Sequence, residues 1–434
     1  MAMATLRVQS GGFSSVLSSS SVRLLRSQCV RRVAVQQLRI HARTEFSIES
    51  PYGPQVADAV KALRPEFEDV DTLVAVNLNR VIKAYANARV GSHHFSGTTG
   101  YGHNDAGGRE ALDQAFAEIV GAEAAIKHQF FTFFSLLLTS PSTGLVYLFI
   151  VQFFSGTHAI ACALYAALRP GGELLAVAGA PYDTLEEVIG LRGSAGEGSL
   201  KEFGVSYREV PAQNPDCVIV VDNCYGEFVE AIEPTAVGAD LMAGSLIKNP
   251  GGTIAPCGGY VAGKSKWVQA AAARLCAPGI GMSAGSTPGD VMRLLFQGLF
   301  LAPQMVGESI KGTLLVAEVM AAEGFDCRPA PRVRRNDIIQ AVQLGSRDRL
   351  LAFCRAVQKN CPVGSYIQPV AGATAGYESE VVFADGTFID GSTSEVSCDG
   401  PLREPFVVFC QGGTHWTHWA LALEGVVQAL RQLK

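Results

Sequence analysis

No acidic side chain occurs before Glu45, although the chain carries 40 Asp and Glu in all. The first 43 residues instead hold seven Arg and eight Ser, with no Lys. An acid-free, Arg- and Ser-rich leader has the composition of an organelle transit peptide. Residues 1–43 are therefore expected to stand outside the fold and to address the chain to a chloroplast, with a mitochondrion as the alternative. CxxC pairs are also missing, and the 11 cysteines are odd in number, which argues against a zinc ribbon or a disulfide framework. A reducing stroma or matrix agrees with that usage. There is no basic stripe interleaved with aromatics, and the net charge is -5, so nucleic acid is not an expected partner. Charged residues make up only 17% of the chain against 48% hydrophobic ones, which excludes disorder and implies extensive burial.

Charge is missing again between Gln129 and Thr157. Length and apolarity alone would make this segment a membrane span. Thr139, Ser140, Pro141, Ser142 and Gly144 interrupt it, however, and its flanks lack a Lys/Arg cluster. The stretch HQFF at 128–131 nearly repeats as VQFF at 151–154. Residues 128–151 thus read as an atypical hydrophobic insert, of the Phe- and Leu-rich kind that a translated intron end would give. The membrane is not an expected partner; a membrane-anchored or inactive chain is the competing reading.

The remainder reads as a folded enzyme. Apolar residues recur at helical spacing through Val56, Val60 and Leu63, then Leu73, Val76, Val81 and Ile82, which predicts two helices. They lead into a glycine-rich loop at 91–110 that is too long and polar to be a mere connection. A helical period returns from Glu110 to Val120. Short β-rich runs then alternate with helical ones at 173–179, 217–223, 240–248 and 258–263. Strands apolar on both faces imply a mostly parallel sheet covered on both sides, an α/β architecture. The texture changes near 310, so the expected domains are a large one at 55–310 and a smaller α+β one at 311–434.

Asp222 closes the run CVIVV, placing a carboxylate at the carboxyl end of a buried strand, where open α/β sheets bind ligands. Lys248 lies in SLIKNPGG, after a second apolar run and before glycines that permit close backbone approach. A lysine buried at a strand end is costly unless its pKa falls or it is used covalently. Together the two residues suit pyridoxal 5'-phosphate: Lys248 as Schiff-base lysine, and Asp222 as partner of the pyridine nitrogen of a cofactor that takes up electrons from the substrate α-carbon. SGTHA at 155–159 opens a helical run, so Ser155, Gly156 and Thr157 can cradle a phosphate at a helix N-terminus. The same segment is equally a good N-cap. Ser245 would reach that phosphate, and His158 would lie over the pyridine ring.

In this order, SGTHA, DNCYGEF and SLIKNPGG are similar to fold-type-I pyridoxal-phosphate enzymes of the aspartate-aminotransferase-like fold. With GYGHNDAGGRE, AGAPYDTL and DGPLREP, the body from about 70 to 425 resembles the aluminium-resistance or methionine-gamma-lyase-like family. The resemblance implies a homodimer or homotetramer with the cofactor near a subunit interface. It also implies that Tyr225 hydrogen-bonds the cofactor's phenolic oxygen and that Tyr101 and Arg109 reach a neighbouring subunit's site. Arg403 becomes the candidate clamp for a substrate α-carboxylate, since a planar guanidinium binds carboxylates bidentately; a structural ion pair is an equal reading. The implied reaction is carbon–sulfur lysis of a sulfur-containing amino acid. An aldolase or aminotransferase reaction on the same scaffold is the enzymatic alternative. The NPGG after Lys248 departs from the better-known cystathionine and methionine lyases. His415 and His418 have no evident third ligand, so no metal is expected.

Overall fold

The computed structural model describes residues 50–95, 107–122, 149–177, 180–181, 183–192, 198–209, 217–275, 289–374 and 377–433. The leader at 1–43, Tyr101 and most of the insert at 128–151 lie outside these residues. Pro51–Lys434 form one compact unit.

The two N-terminal helices are α1 (Pro54–Ala62) and α2 (Arg64–Asn87). Each carries proline in its first turn, where the missing N–H would have had no partner anyway. Helix α3 (Gly108–Ile119) follows, then strand β1 (Phe149–Phe153) and α4 (Gly156–Ala167). Next come β2 (Glu173–Ala176), α5 (Asp183–Ile189) and β3 (Ser206–Glu209), with β2 and β3 paired in parallel. A four-stranded sheet then forms from β1, β4 (Val220–Asp222), β5 (Leu241–Ser245) and β6 (Gly259–Gly263), in the order β1-β6-β5-β4. Strands β4 and β5 are parallel, while β6 runs antiparallel to both β5 and β1.

The central strands β5 and β6 are buried at every position because each face meets a different core. Leu241, Ala243 and Val261 pack with Ala159, Ala163 and Leu164 of α4 and with Val268 and Ala271 of α6 (Ser265–Leu275). Met242, Tyr260 and Ala262 pack into the larger core with Phe116 and Leu299. Alternating side chains thus serve opposite faces, which is why the sequence shows runs rather than alternation.

Helix α7 (Gly289–Ala322) spans 34 residues and crosses from this core to the second sheet. That sheet is wholly antiparallel, ordered β7-β8-β11-β10-β9, from β7 (Asp326–Arg328), β8 (Gln340–Gln343), β9 (Val381–Ala384), β10 (Ser397–Pro401) and β11 (Val407–Gln411). Helices α8 (Arg347–Gln358) and α9 (Trp416–Arg431) pack together beside it. The α/β fold with a C-terminal α+β region is as the sequence implied, while among the described residues only the β2–β3 and β4–β5 pairings are parallel. Among the described residues no helix is long and apolar enough to cross a membrane.

Candidate active site

Three chain segments converge at the carboxyl ends of β4 and β5. Asp222 is the last residue of β4, registered on Ala243 of β5, and Asn223 N–H donates to Ala243 O at 2.9 Å. The Asp222 side chain is exposed, and its carboxylate accepts from Cys224 N–H at 3.1 Å. Desolvation by the surrounding chain nevertheless raises its pKa. The turn after it is forced into the left-handed region at Tyr225 (φ 72°) and Phe228 (φ 62°), a conformation that side chains adopt only when the surroundings impose it. That turn brings the Tyr225 ring to 5.2 Å from Lys248 Nζ.

Lys248 follows β5 by three residues. Its Nζ donates to Gly391 O at 2.6 Å, and burial pushes its pKa down against the opposing pull of Cys224, Asp399 and Glu227. The NPGG that follows has a packing reason. Gly252 is left-handed (φ 51°), and a β-carbon there would sit 2.3 Å from Gly298 O on α7. The lysine turn is thereby seated backbone to backbone against the long helix.

The third segment is the start of α4. A β-carbon on Gly156 would lie 2.7 Å from Ser245 Cβ, so glycine alone lets the helix end abut the end of β5. Helix geometry gives the Gly156 and Thr157 N–H groups no intrahelical partner. Ser155 is the N-cap, its hydroxyl accepting from His158 N–H at 3.2 Å. Ser155 and Thr157 are exposed, whereas Ser245 is buried beneath them. The His158 ring stacks on Phe154 at 5.8 Å and meets Phe153 edge-on, and burial lowers its pKa.

Lys248, Asp222, Tyr225, Ser245 and the Ser155–Thr157 helix end are thus gathered around neighbouring strand ends. Arg403 is exposed on the turn between β10 and β11, and Arg109 is buried in the first turn of α3. His415 caps α9 and faces Glu308 at 3.8 Å, and His418 Nε2 lies 2.6 Å from Asn360 O.

Three acidic or sulfur groups here escape motif reading. Cys224, two residues after Asp222, has its thiol pushed up by burial and by the Asp222 and Glu227 charges. Glu227 is buried and accepts from Tyr260 Oη at 2.7 Å, and burial pushes its carboxyl pKa well above the usual range. Asp399 on β10 is raised to about 6, by burial first and against the Lys248 charge. Glu227 and Asp399 sit in DNCYGEF and CDGPLREP, but their sequence context alone gives no sign of burial.

Asp399 has a pH signature. Its folded pKa lies above the unfolded value, so its favourable contribution to stability is complete below about pH 4 and is lost as pH rises through about 6. Asp399→Asn is expected to flatten that part of the curve of melting temperature against pH. An unchanged curve would refute the shift.

The methionine gamma-lyase family model matches residues 54–133, 143–214 and 210–431. The chain belongs to that family. The match to the methionine gamma-lyase family omits 134–142, inside the hydrophobic segment that the sequence reading sets apart. The chain is 38% identical over 403 residues to the uncharacterized protein YnbB of Bacillus subtilis, covering 81% of this chain and 90% of that one. It is also similar to the crystal structure of a carbon-sulfur lyase involved in aluminum resistance from Clostridium novyi NT, at 33% identity and a TM-score of 0.76, covering 88% of this chain and 95% of the other. A pyridoxal-5'-phosphate dependent protein from Escherichia coli, YhfS, shares the fold at 14% identity and a TM-score of 0.51, covering 83% of this chain and 97% of that one.

The cluster fits the cofactor that methionine gamma-lyase family enzymes use. Desolvation pushes both Asp222 and Lys248 toward their neutral forms. A cationic pyridine nitrogen beside Asp222 and a covalent bond at Lys248 are the two changes that would relieve those costs. The close contact of Gly156 with Ser245 gathers the hydroxyls and N–H groups that a phosphate requires.

Proposed function

We propose that the chain is a pyridoxal-phosphate-dependent lyase that breaks a carbon–sulfur bond in a sulfur-containing amino acid. The observation that carries this reading is the desolvated Lys248 amine in the turn after β5, its Nζ 5.2 Å from the ring of Tyr225, three residues after Asp222. In this proposal Lys248 bonds the cofactor, Asp222 pairs with its ring nitrogen, and Tyr225 meets its phenolic oxygen. Ser155, Gly156, Thr157 and Ser245 hold its phosphate, with His158 beside the cup. The bound cofactor supplies an electron sink for the pair left at the substrate α-carbon.

The chain's own residues supply the rest. Lys248, with its pKa lowered by burial, is poised to take the α-carbon proton as general base. Gly391 O offers its ammonium a docking point afterwards, at the 2.6 Å distance seen here. Arg403 is proposed as the substrate carboxylate clamp, and Tyr101 as a further substrate contact.

Cleavage of the carbon–sulfur bond, with water replacing the amine, would release thiol, ammonia and 2-oxo acid in equal amounts. Purified chain supplied with pyridoxal phosphate is expected to do this with methionine, cysteine or cystathionine. Oxo acid without thiol would point to an aminotransferase, and an aldehyde with glycine to an aldolase. Release of no oxo acid from any of the three substrates would overturn the lyase reading.

Two further parts of the proposal rest on other features. A homodimer or homotetramer is the assembly that the family resemblance implies, and sedimentation measures it. An organelle address is supported by the acid-free leader, and a fluorescent fusion to residues 1–43 tests it.

A further inference from the structure

The lysine turn and the loop between β9 and β10 are joined twice. Lys248 Nζ donates to Gly391 O at 2.6 Å, and Asn249 Oδ1 accepts from Thr393 Oγ1 at 3.1 Å. The same Asn249 side chain donates through Nδ2 to Glu227 O at 2.9 Å. Asn249 and Thr393 are 1% and 0% exposed. One amide therefore ties together the segment bearing Asp222 and Tyr225, the segment bearing Lys248, and the β9–β10 loop. The amide supplies both the donor and the acceptor this requires.

The loop is itself built to hold its shape. The Glu395 carboxylate accepts from Phe388 N–H at 3.2 Å, Thr387 Oγ1 donates to Ile389 O at 2.9 Å, and Ser392 Oγ accepts from Ser394 N–H at 3.3 Å. Behind it, Gly413 N–H donates to Ser394 O at 3.1 Å, and Trp419 Nε1 donates to Gly412 O at 2.9 Å. The QGGTHWTHW segment, which has no chemical role on sequence grounds, thus serves as backing for this loop. Gly391 O is consequently a fixed dipole aimed at Lys248. The other groups facing the amine are Cys224 and Glu227 from the turn after β4, the Tyr225 ring, and Asp399 from β10.

We propose that Asn249 and Thr393 are positioning residues that hold the Gly391 carbonyl as the resting place of the Lys248 ammonium whenever the lysine is not bonded to cofactor. This rests on Lys248 being the cofactor lysine. A carbonyl acceptor favours the charged form of an amine, whereas burial favours the neutral one. Losing the Thr393 hydroxyl would leave Asn249 Oδ1 buried without a donor and release the loop. Burial would then dominate, and Lys248 would lose its proton at lower pH.

The test uses the full chain stripped of cofactor, with acylation of Lys248 by acetic anhydride followed against pH by peptide mass spectrometry. Thr393→Val is expected to move the midpoint down by about one pH unit. Thr393→Ser, which keeps the hydroxyl, should stay with the wild type. Melting curves confirm folding, and Thr393→Ala replaces the valine variant if that one does not fold. A midpoint unchanged in a folded variant lacking the hydroxyl overturns the proposal. Borohydride trapping of added pyridoxal phosphate on wild-type protein separates the two levels. Failure to label Lys248 overturns the cofactor-lysine reading and this proposal with it, whereas labelling with an unmoved midpoint overturns this proposal alone.

Discussion

Lys248→Ala is expected to lower kcat by ~10²–10⁴-fold through loss of the proton-transferring amine alone, even with excess cofactor present. The desolvated Nζ donates to Gly391 O and lies 5.2 Å from the ring of Tyr225, three residues after Asp222. Lys248→Arg should fare no better, because a guanidinium stays protonated at any working pH and makes a poor nucleophile and base. Turnover, borohydride labelling and melting temperature, taken together, check the result. A folded Lys248→Ala variant with wild-type turnover would remove Lys248 from the chemistry.

The second large effect falls on the seat of the lysine turn. Gly252→Ala forces an L side chain into φ 51° and directs its β-carbon to 2.3 Å from Gly298 O. The left-handed backbone costs ~1–2 kcal/mol and the overpacking ~1–3 kcal/mol. That is a large share of the ~5–15 kcal/mol by which folded domains are stable. Gly298→Ala meets Gly251 O at 2.3 Å from the other side but carries no unfavourable φ, so it should lose only the packing part. Denaturant unfolding of both variants measures the difference. Equal stability of Gly252→Ala and wild type would show that the turn and α7 are not in close contact.

The proposed cofactor cluster was legible in the sequence because its members occupy places where chain chemistry is explicit. Asp222 ends an apolar run, Ser155 opens a helical one, and Lys248 precedes glycines. The strand segments were legible for a related reason: β5 and β6 are buried on both faces and so appear as unbroken apolar runs. What stayed hidden depends on contacts between distant residues. Gly391 is 143 positions from Lys248, and Thr393 is 144 from Asn249. Neither has a motif that announces it. Glu227 and Asp399 look like ordinary surface acids in the sequence, and only the walls built around them by β6, β9 and β11 turn them into groups held toward neutrality. The antiparallel return of β6 is equally silent, since parallel and antiparallel buried strands share one composition.

Helix α7 packs against α2, against α9 and against β7, β8 and β11, and it also receives the turn after Lys248 at Gly298. The position of Lys248 is therefore referred directly to an element that the C-terminal sheet also leans on. Each sheet keeps helices of its own, α4 and α6 on one and α8 and α9 on the other, but α7 is the wall they have in common. Loosening the far end of that helix disturbs the lysine as well as the sheet beside it. Catalytic geometry and the packing of the C-terminal sheet thus share one support, and a lesion in α7 is felt by both at once.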